Sequence, residues 1–309
     1  MNPDPLIRHL PHTGIDLRKW DHCISAAPNG LIYAYSWYLS EMAPNWDGLV
    51  LGDYEAVMPL PWNRKYGFYY LYQPFLCASL GLFGNNIDAG LLRRFFEAVP
   101  RRYKLWDMYL NYGNFISVPG YDLYQRISHV LDLNPSYEAL YEGFRTSYKT
   151  LLKRFDKLGY SVQKNVPIAD VLKLTKEKLV PVANVKETDY ENFHRLYDRL
   201  YSEGRALNYG GYSPKGDLLA SAVFLFSHKR AYYIVAGNHA DGRTVGASHQ
   251  VINAFIRDHA GQELLLDFEG SDVHNIAFFF KSSGAQEERY PGLFYNRLPP
   301  LLRWLKTRS

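Results

Sequence analysis

The chain has 309 residues, 47% hydrophobic and 21% charged, with a formal net charge of +4. That length suits two domains of roughly 100–200 residues with a sizeable core, and the charge is too small to imply a stable nucleic-acid complex. Two cysteines, Cys23 and Cys77, exclude a disulfide framework, and with no run of about 18 apolar residues no membrane span is expected. Met1 to Trp20 is polar and proline-rich and lacks the basic-then-apolar layout of a signal peptide, so the cytoplasm is the expected location.

In chain order, the first half offers strands at Leu6–Leu10, Gly48–Leu51, Ala56–Pro61, Phe68–Gln73, Tyr103–Tyr109 and Arg126–Leu131. Between them helices are expected at Asp16–Ala26, Ser36–Met42 and Asp88–Val99. Ser136–Leu158 reads as one long amphipathic helix joining two halves, with Phe144, Tyr148, Leu151, Leu152, Phe155 and Leu158 on its apolar face. The second half continues with a strand at Tyr160–Lys164 and helices at Ile168–Leu179 and Tyr190–Tyr201, the latter capped by Thr188 or Asp189. Strands follow at Ala206–Tyr212, Leu218–Ser227 and Ala231–Gly237, separated by the turn signals Ser213-Pro214-Lys215-Gly216 and His228-Lys229-Arg230. Asn238–Gly242 reads as a loop, Val245–His259 as a helix stopped by Gly261, and Glu263–Phe268 as a strand. A helix at Val273–Ser283, a strand at Arg289–Arg297 and a closing helix at Leu301–Lys306 complete the chain.

Short strands alternating with helices predict an α/β (α+β) layer fold. The segments LDFEGSDVHNIAFFFKSSGAQEERY, FRTSYKTLLKRFDKLGYSVQ and YQPFLCASLGLFG, with the repeated order of elements, resemble the FemAB-like branch of the GNAT (acyl-CoA N-acyltransferase) superfamily. The resemblance spans nearly the whole chain. It implies two tandem GNAT-like domains, 1–134 and 160–309, each a mixed central sheet flanked by helices, joined by a helix at 135–159. It also implies an acyltransferase. The expected donor is acetyl-coenzyme A or another acyl-coenzyme A, and the acceptor a small-molecule or peptidyl amine. Aminoacyl-tRNA is the alternative donor, with a cell-wall precursor as acceptor, although the helical arm of some Fem enzymes has no counterpart here. A GNAT pair that binds ligand without catalysis is the third reading.

Several groups of residues carry the expected chemistry. GRTVGAS resembles the GNAT pyrophosphate loop, with Arg243, Gly246 and Ser248 at the motif positions, Ser248 standing where the pattern has Gly or Ala, and Ala247 between them. Free N–H groups and the dipole of a helix start would hold the phosphates there, after a strand carrying Val235 and Gly237. An ordinary loop and helix cap explains the same residues. In LLLDFEGS, strand alternation points Asp267 and Glu269 to one side, where a carboxylate could deprotonate an amine; local capping of the next helix by Glu269 and Ser271 is the plainer alternative. The resemblance implies that Lys281, in FFFKSSG, stabilises an oxyanion; a lysine at a helix C-terminus suits the macrodipole equally. Arg145, Lys149, Lys153 and Lys157 form an i, i+4 basic stripe that could hold phosphates or face solvent. Tyr72 and Gln73, in Tyr69–Phe83, are expected to line a substrate groove together with Arg145 and Lys149, while Cys77 reads as a buried thiol. The ten histidines show no ligand spacing, so no metal is expected.

Overall fold

The computed structural model describes residues 5–179, 185–270, 274–303 and 306. The chain forms β1 (Ile7–Pro11), α1 (Leu17–Ala26), α2 (Ser36–Met42), β2 (Trp46–Leu51), β3 (Ala56–Lys65), β4 (Phe68–Tyr72), β5 (Phe83–Gly84), α3 (Ala89–Ala98), β6 (Tyr103–Tyr109) and β7 (Asp122–Asp132). It continues through α4 (Tyr137–Gly143), α5 (Thr146–Lys157), β8 (Ser161–Lys164), α6 (Ile168–Leu179), α7 (Glu187–Ser202), β9 (Ala206–Tyr212), β10 (Leu218–Ser227) and β11 (Arg230–Asn238). The last elements are α8 (Ala240–Val245), α9 (Ala247–His259), β12 (Leu265–Asp267), α10 (His274–Ser282), β13 (Gln286–Asn296) and α11 (Pro300–Arg303).

These elements make a mixed α/β fold divided into two compact units, Met1–Arg126 with Arg289–Ser309, and Ile127–Glu288. In the first unit β1, β2, β3 and β4 pair antiparallel in that order, β4 pairs parallel with β6, and β6 pairs antiparallel with the C-terminal half of β13. In the second unit β8, β9, β10 and β11 pair antiparallel, β11 pairs parallel with β12, and β12 pairs antiparallel with the end of β7. Each sheet thus carries one parallel pair among antiparallel neighbours.

This division differs from boundaries at 134 and 159. The Gly292–Asn296 stretch finds its partners at Leu105–Tyr109, so the final strand belongs with the first unit. A pairing across so many residues leaves no local pattern to read. The segment 135–159 lies in the second unit and holds two helices rather than one. Phe144 and Arg145 are extended, with ψ of 139° and 150°, and break the helix. The apolar spacing Leu140, Phe144, Tyr148 runs straight through the break, which is why the sequence pattern hides it.

Local chemistry explains most helix starts. Asp16 accepts from the N–H groups of Arg18 and Lys19 at 3.1 Å, and Asp88 from that of Leu91 at 2.7 Å. Asp189 serves α7 from inside its first turn, accepting the Lys186 N–H at 2.8 Å, so neither it nor Thr188 is the cap position itself. The capping roles proposed for Ser271 and the helix start near Asp272 fall outside the described residues.

The first core gathers Leu71, Phe95, Phe96, Trp106, Met108 and Leu293. The second stacks Phe224 on Phe255 at 3.8 Å between ring centroids, with Tyr209 edge-on to both.

Candidate functional site

In the first unit the parallel pairing of β4 with β6 sets Tyr70 opposite Leu105 and Tyr72 opposite Asp107. Strand alternation then sorts the faces. Leu71, Trp106 and Met108 enter the core, while Tyr70, Tyr72, Leu105, Asp107 and Tyr109 line a groove of about 780 Å³ on the other face. Lys65 and Tyr66 of the β3–β4 turn and Leu298, Leu302 and Lys306 near the C-terminus complete the lining. Asp107 is the acidic group in this aromatic trough. Burial raises its carboxyl above the usual carboxylate range, and the charges of Lys306 and Arg126 only partly offset that. Among the described residues none donates a hydrogen bond to it. Arg126 lies 4.0 Å over the Tyr109 ring and donates to the Tyr290 hydroxyl at 3.2 Å. Burial also raises the Tyr70 and Tyr124 phenols, so they stay protonated and can donate.

Tyr72 and Gln73 both line this groove. Gln73 is a strut as well: its Oε1 accepts the Tyr109 N–H at 2.9 Å and its Nε2 donates to the Cys77 carbonyl. Cys77 is buried. Asp107 has a sequence signal that is easy to pass over, a single charge inside the apolar run LWDMYL, on the face shared by Leu105 and Tyr109.

In the second unit β11 and β12 stay paired from Arg230 to Tyr232, where Asp267 is the last partner. Beyond that point β12 ends and β11 continues to Asn238 against β10 alone. Aromatic rings pack just past the end of β12: Tyr233 packs edge-on to Phe268 and Phe280, and Phe268 stacks on Phe280 at 4.6 Å. Nearby, His249 sits edge-on between Tyr148 and Phe279, at 4.8 and 4.6 Å, and burial pulls its pKa down to about 4. His129 is buried, and among the described residues neither ring nitrogen has a hydrogen-bond partner; burial and then the charge of Lys281 lower its pKa. Neither histidine is singled out by sequence, although His249 directly follows the GAS of the predicted loop.

Here the structure corrects several expectations. Asp267 is not an available base. It is buried and ion-paired with Arg230 at 2.8 Å, and it accepts from the Ser128 hydroxyl at 3.0 Å and the Glu269 N–H at 2.9 Å. Arg230 is itself held by Glu288. Burial alone would lower the Arg230 pKa, but the Glu288 hydrogen bond and the two carboxylates raise it on balance. Asp267 and Glu269 do not share a strand face, because β12 ends at Asp267 and Glu269 has φ +61°.

The Arg243–Ser248 stretch is helical on both sides of one corner rather than an open loop. Gly246, at φ +78°, ends α8 and starts α9, and a Cβ there would meet Leu151 at 2.8 Å. A Cβ on Gly242 would meet the Leu219 carbonyl at 2.5 Å. Both glycines therefore serve contacts within the chain. Gly237 does likewise, against Ser221 and Leu174, and Val235 is buried opposite Val223. Arg243 is exposed beside α6, Ala247 is buried and Ser248 is half-buried in the first turn of α9.

Lys281 pairs with Glu287 at 2.5 Å and is partly exposed. Arg145 lies over the Phe278 ring at 4.8 Å, and Lys149 donates to the Glu142 carbonyl at 3.1 Å. Both belong to the second unit, whereas Tyr72 and Gln73 belong to the first. Among the described residues no cluster of His, Cys, Asp or Glu could hold a metal, and no helix is long and apolar enough to cross a membrane.

No family model matches the sequence, and no curated protein matches it. Solved structures do. The crystal structure of FemX superposes with a TM-score of 0.65 at 13% identity, covering 95% of this chain and 99% of that one. A conserved protein of unknown function from Bacteroides thetaiotaomicron gives 0.58 at 13% identity, over 91% and 98%. The C-terminal domain of a protein assigned as a lysylphosphatidylglycerol synthetase from Agrobacterium fabrum gives 0.55 at 14%, over 91% and 92%. The chain shares its fold with the crystal structure of FemX.

Proposed function

We propose that the protein is an N-acyltransferase whose amine acceptor binds in the tyrosine-lined groove of the first unit. The observation that carries this reading is Asp107, a carboxylate with a raised pKa at the end of a parallel strand pair, on the floor of an aromatic trough. The rings of Tyr70, Tyr72 and Tyr109 suit an ammonium group by cation–π attraction, and Asp107 supplies the counter-charge. A carboxylate raised by burial is also a better base. In the proposed step Asp107 takes a proton from the ammonium, and the neutral amine attacks an activated acyl carbonyl. The new amide forms as the donor's ester or thioester bond breaks; the leaving group departs with the electron pair and takes up the second proton that the attacking nitrogen sheds. No covalent enzyme intermediate is needed. The matching topology of the two sheets supports reading the units as tandem GNAT-like domains.

The donor expected from the resemblance is an acyl-coenzyme A held at Val235–Ser248. The residues there do not fit an open pyrophosphate loop, because α8 occupies it and the space beside Gly242 and Gly246 is already filled. That favours the second donor, an aminoacyl ester such as aminoacyl-tRNA.

The test measures transfer from labelled acetyl-coenzyme A and from labelled aminoacyl-tRNA onto a panel of primary amines, peptidyl amines included. Asp107→Asn is expected to slow transfer by about a hundredfold or more, since general-base contributions run at ~10²–10⁴. Undiminished transfer by that variant would remove Asp107 from the mechanism. No transfer from either donor would leave a groove that binds amines without acting on them.

A further inference from the structure

The second unit contains a polar cavity that acyl transfer does not use. It measures about 240 Å³ and lies among α4, α5, β8 and α9. Its floor is a one-way hydrogen-bond chain. The Tyr137 hydroxyl donates to Asn253 Oδ1 at 2.8 Å, Asn253 Nδ2 to Gln250 Oε1 at 2.9 Å, and Gln250 Nε2 to Asp156 Oδ1 at 2.6 Å. Asn253 and Gln250 are buried, at 4% and 9% exposure. Every donor in the chain points towards the carboxylate, which fixes the amide orientations and leaves a defined remainder. Each amide nitrogen keeps a second N–H, and Asp156 keeps its second oxygen. Lys153 and Arg257 stand exposed on the lining, and among the described residues neither forms an ion pair.

We infer that this cavity binds a small zwitterion, an α-amino acid. An ammonium group matches Asp156 Oδ2. A carboxylate matches the spare amide N–H groups together with Lys153 and Arg257, as charge-assisted hydrogen bonds. The cavity holds roughly eight waters' worth of volume, which suits a molecule of that size. A lone anion would leave Asp156 facing it, and a lone cation would leave Lys153 and Arg257 unanswered, so both ends are read together. The inference stands independently of the acyl-transfer reading, because every group it uses belongs to the second unit.

Calorimetric titration of the full chain with the common L-amino acids tests it, each run beside its N-acetyl and carboxamide forms. At least one parent amino acid is expected to bind with Kd below about 1 mM, and blocking either end to weaken it at least about tenfold. Asp156→Asn keeps the acceptor for Gln250 but removes the charge, and should lose the preference for the free ammonium. Lys153→Ala with Arg257→Ala, both at exposed positions, should lose the preference for the free carboxylate. Binding of no amino acid below about 1 mM, or blocked forms that bind as well as the parents, would overturn the inference.

Discussion

The two parallel strand pairs end alike and are used differently. In each unit the last rung of the ladder sets a tyrosine opposite an aspartate, Tyr72 with Asp107 and Tyr232 with Asp267. Asp107 faces an open aromatic groove with no hydrogen-bond donor assigned to it among the described residues, and its pKa rises. Asp267 is sealed by Arg230, Ser128 and the Glu269 N–H. The same position in the same topology thus yields a carboxylate suited to chemistry in one unit and a structural anchor in the other. What decides is a single cation, Arg230, at the start of the neighbouring strand.

Removing that cation should give the largest effect. Arg230→Met leaves Asp267 and Glu288 buried without their counter-charge, and breaking such a network costs about 3–5 kcal/mol. Urea unfolding followed by circular dichroism measures it. A loss under about 1 kcal/mol would mean that the triad is not what holds Asp267, and the contrast between the units would weaken.

Acid should separate the units next. His249 has a folded pKa of about 4 against about 6.5 when unfolded, so between those values the unfolded chain binds more protons. Stability is therefore full above about pH 6.5 and falls as pH drops towards 4, by about 3 kcal/mol for this group alone. His129 and His259, also lowered chiefly by burial, act with the same sign. Asp107 acts oppositely, since its raised carboxyl favours the folded state in acid. Stability measured across this window in His249→Gln should show a shallower slope. An unchanged slope would assign the acid sensitivity elsewhere.

Most of the architecture is legible because periodicity marks it. The expected strands at Ala206–Tyr212 and Leu218–Ser227 coincide with β9 and β10, and the expected helices at Ser36–Met42 and Ile168–Leu179 with α2 and α6. What sequence hides is the pairing of distant groups. LLLDFEGS and KLWDMYL each present one aspartate at a strand position, and nothing local distinguishes them. Arg230 lies 37 residues from Asp267. The GRTVGAS stretch misleads for a related reason. Glycine permits close approach, but the sequence does not say whether a ligand or Leu151 makes it.

The smallest predicted effect tests the comparison most directly, by making the same substitution at both positions. Asn retains one carbonyl oxygen, so Asp267→Asn keeps an acceptor for Ser128 and the Glu269 N–H and loses the charge opposite Arg230. Hydrogen bonds to a charged partner contribute roughly 1.5–3 kcal/mol, and a loss of that order is expected. Asp107→Asn should leave stability at pH 7 unchanged or increased. Its folded carboxyl is raised above the unfolded one, so its stabilising contribution is present in acid and lost as pH rises through the folded value. At pH 7 the folded protein therefore holds a charge that burial disfavours, and the amide relieves it. Equal losses at both positions would mean that Asp107 is also an anchor, and a groove built around it would lose its reason for keeping a carboxylate there.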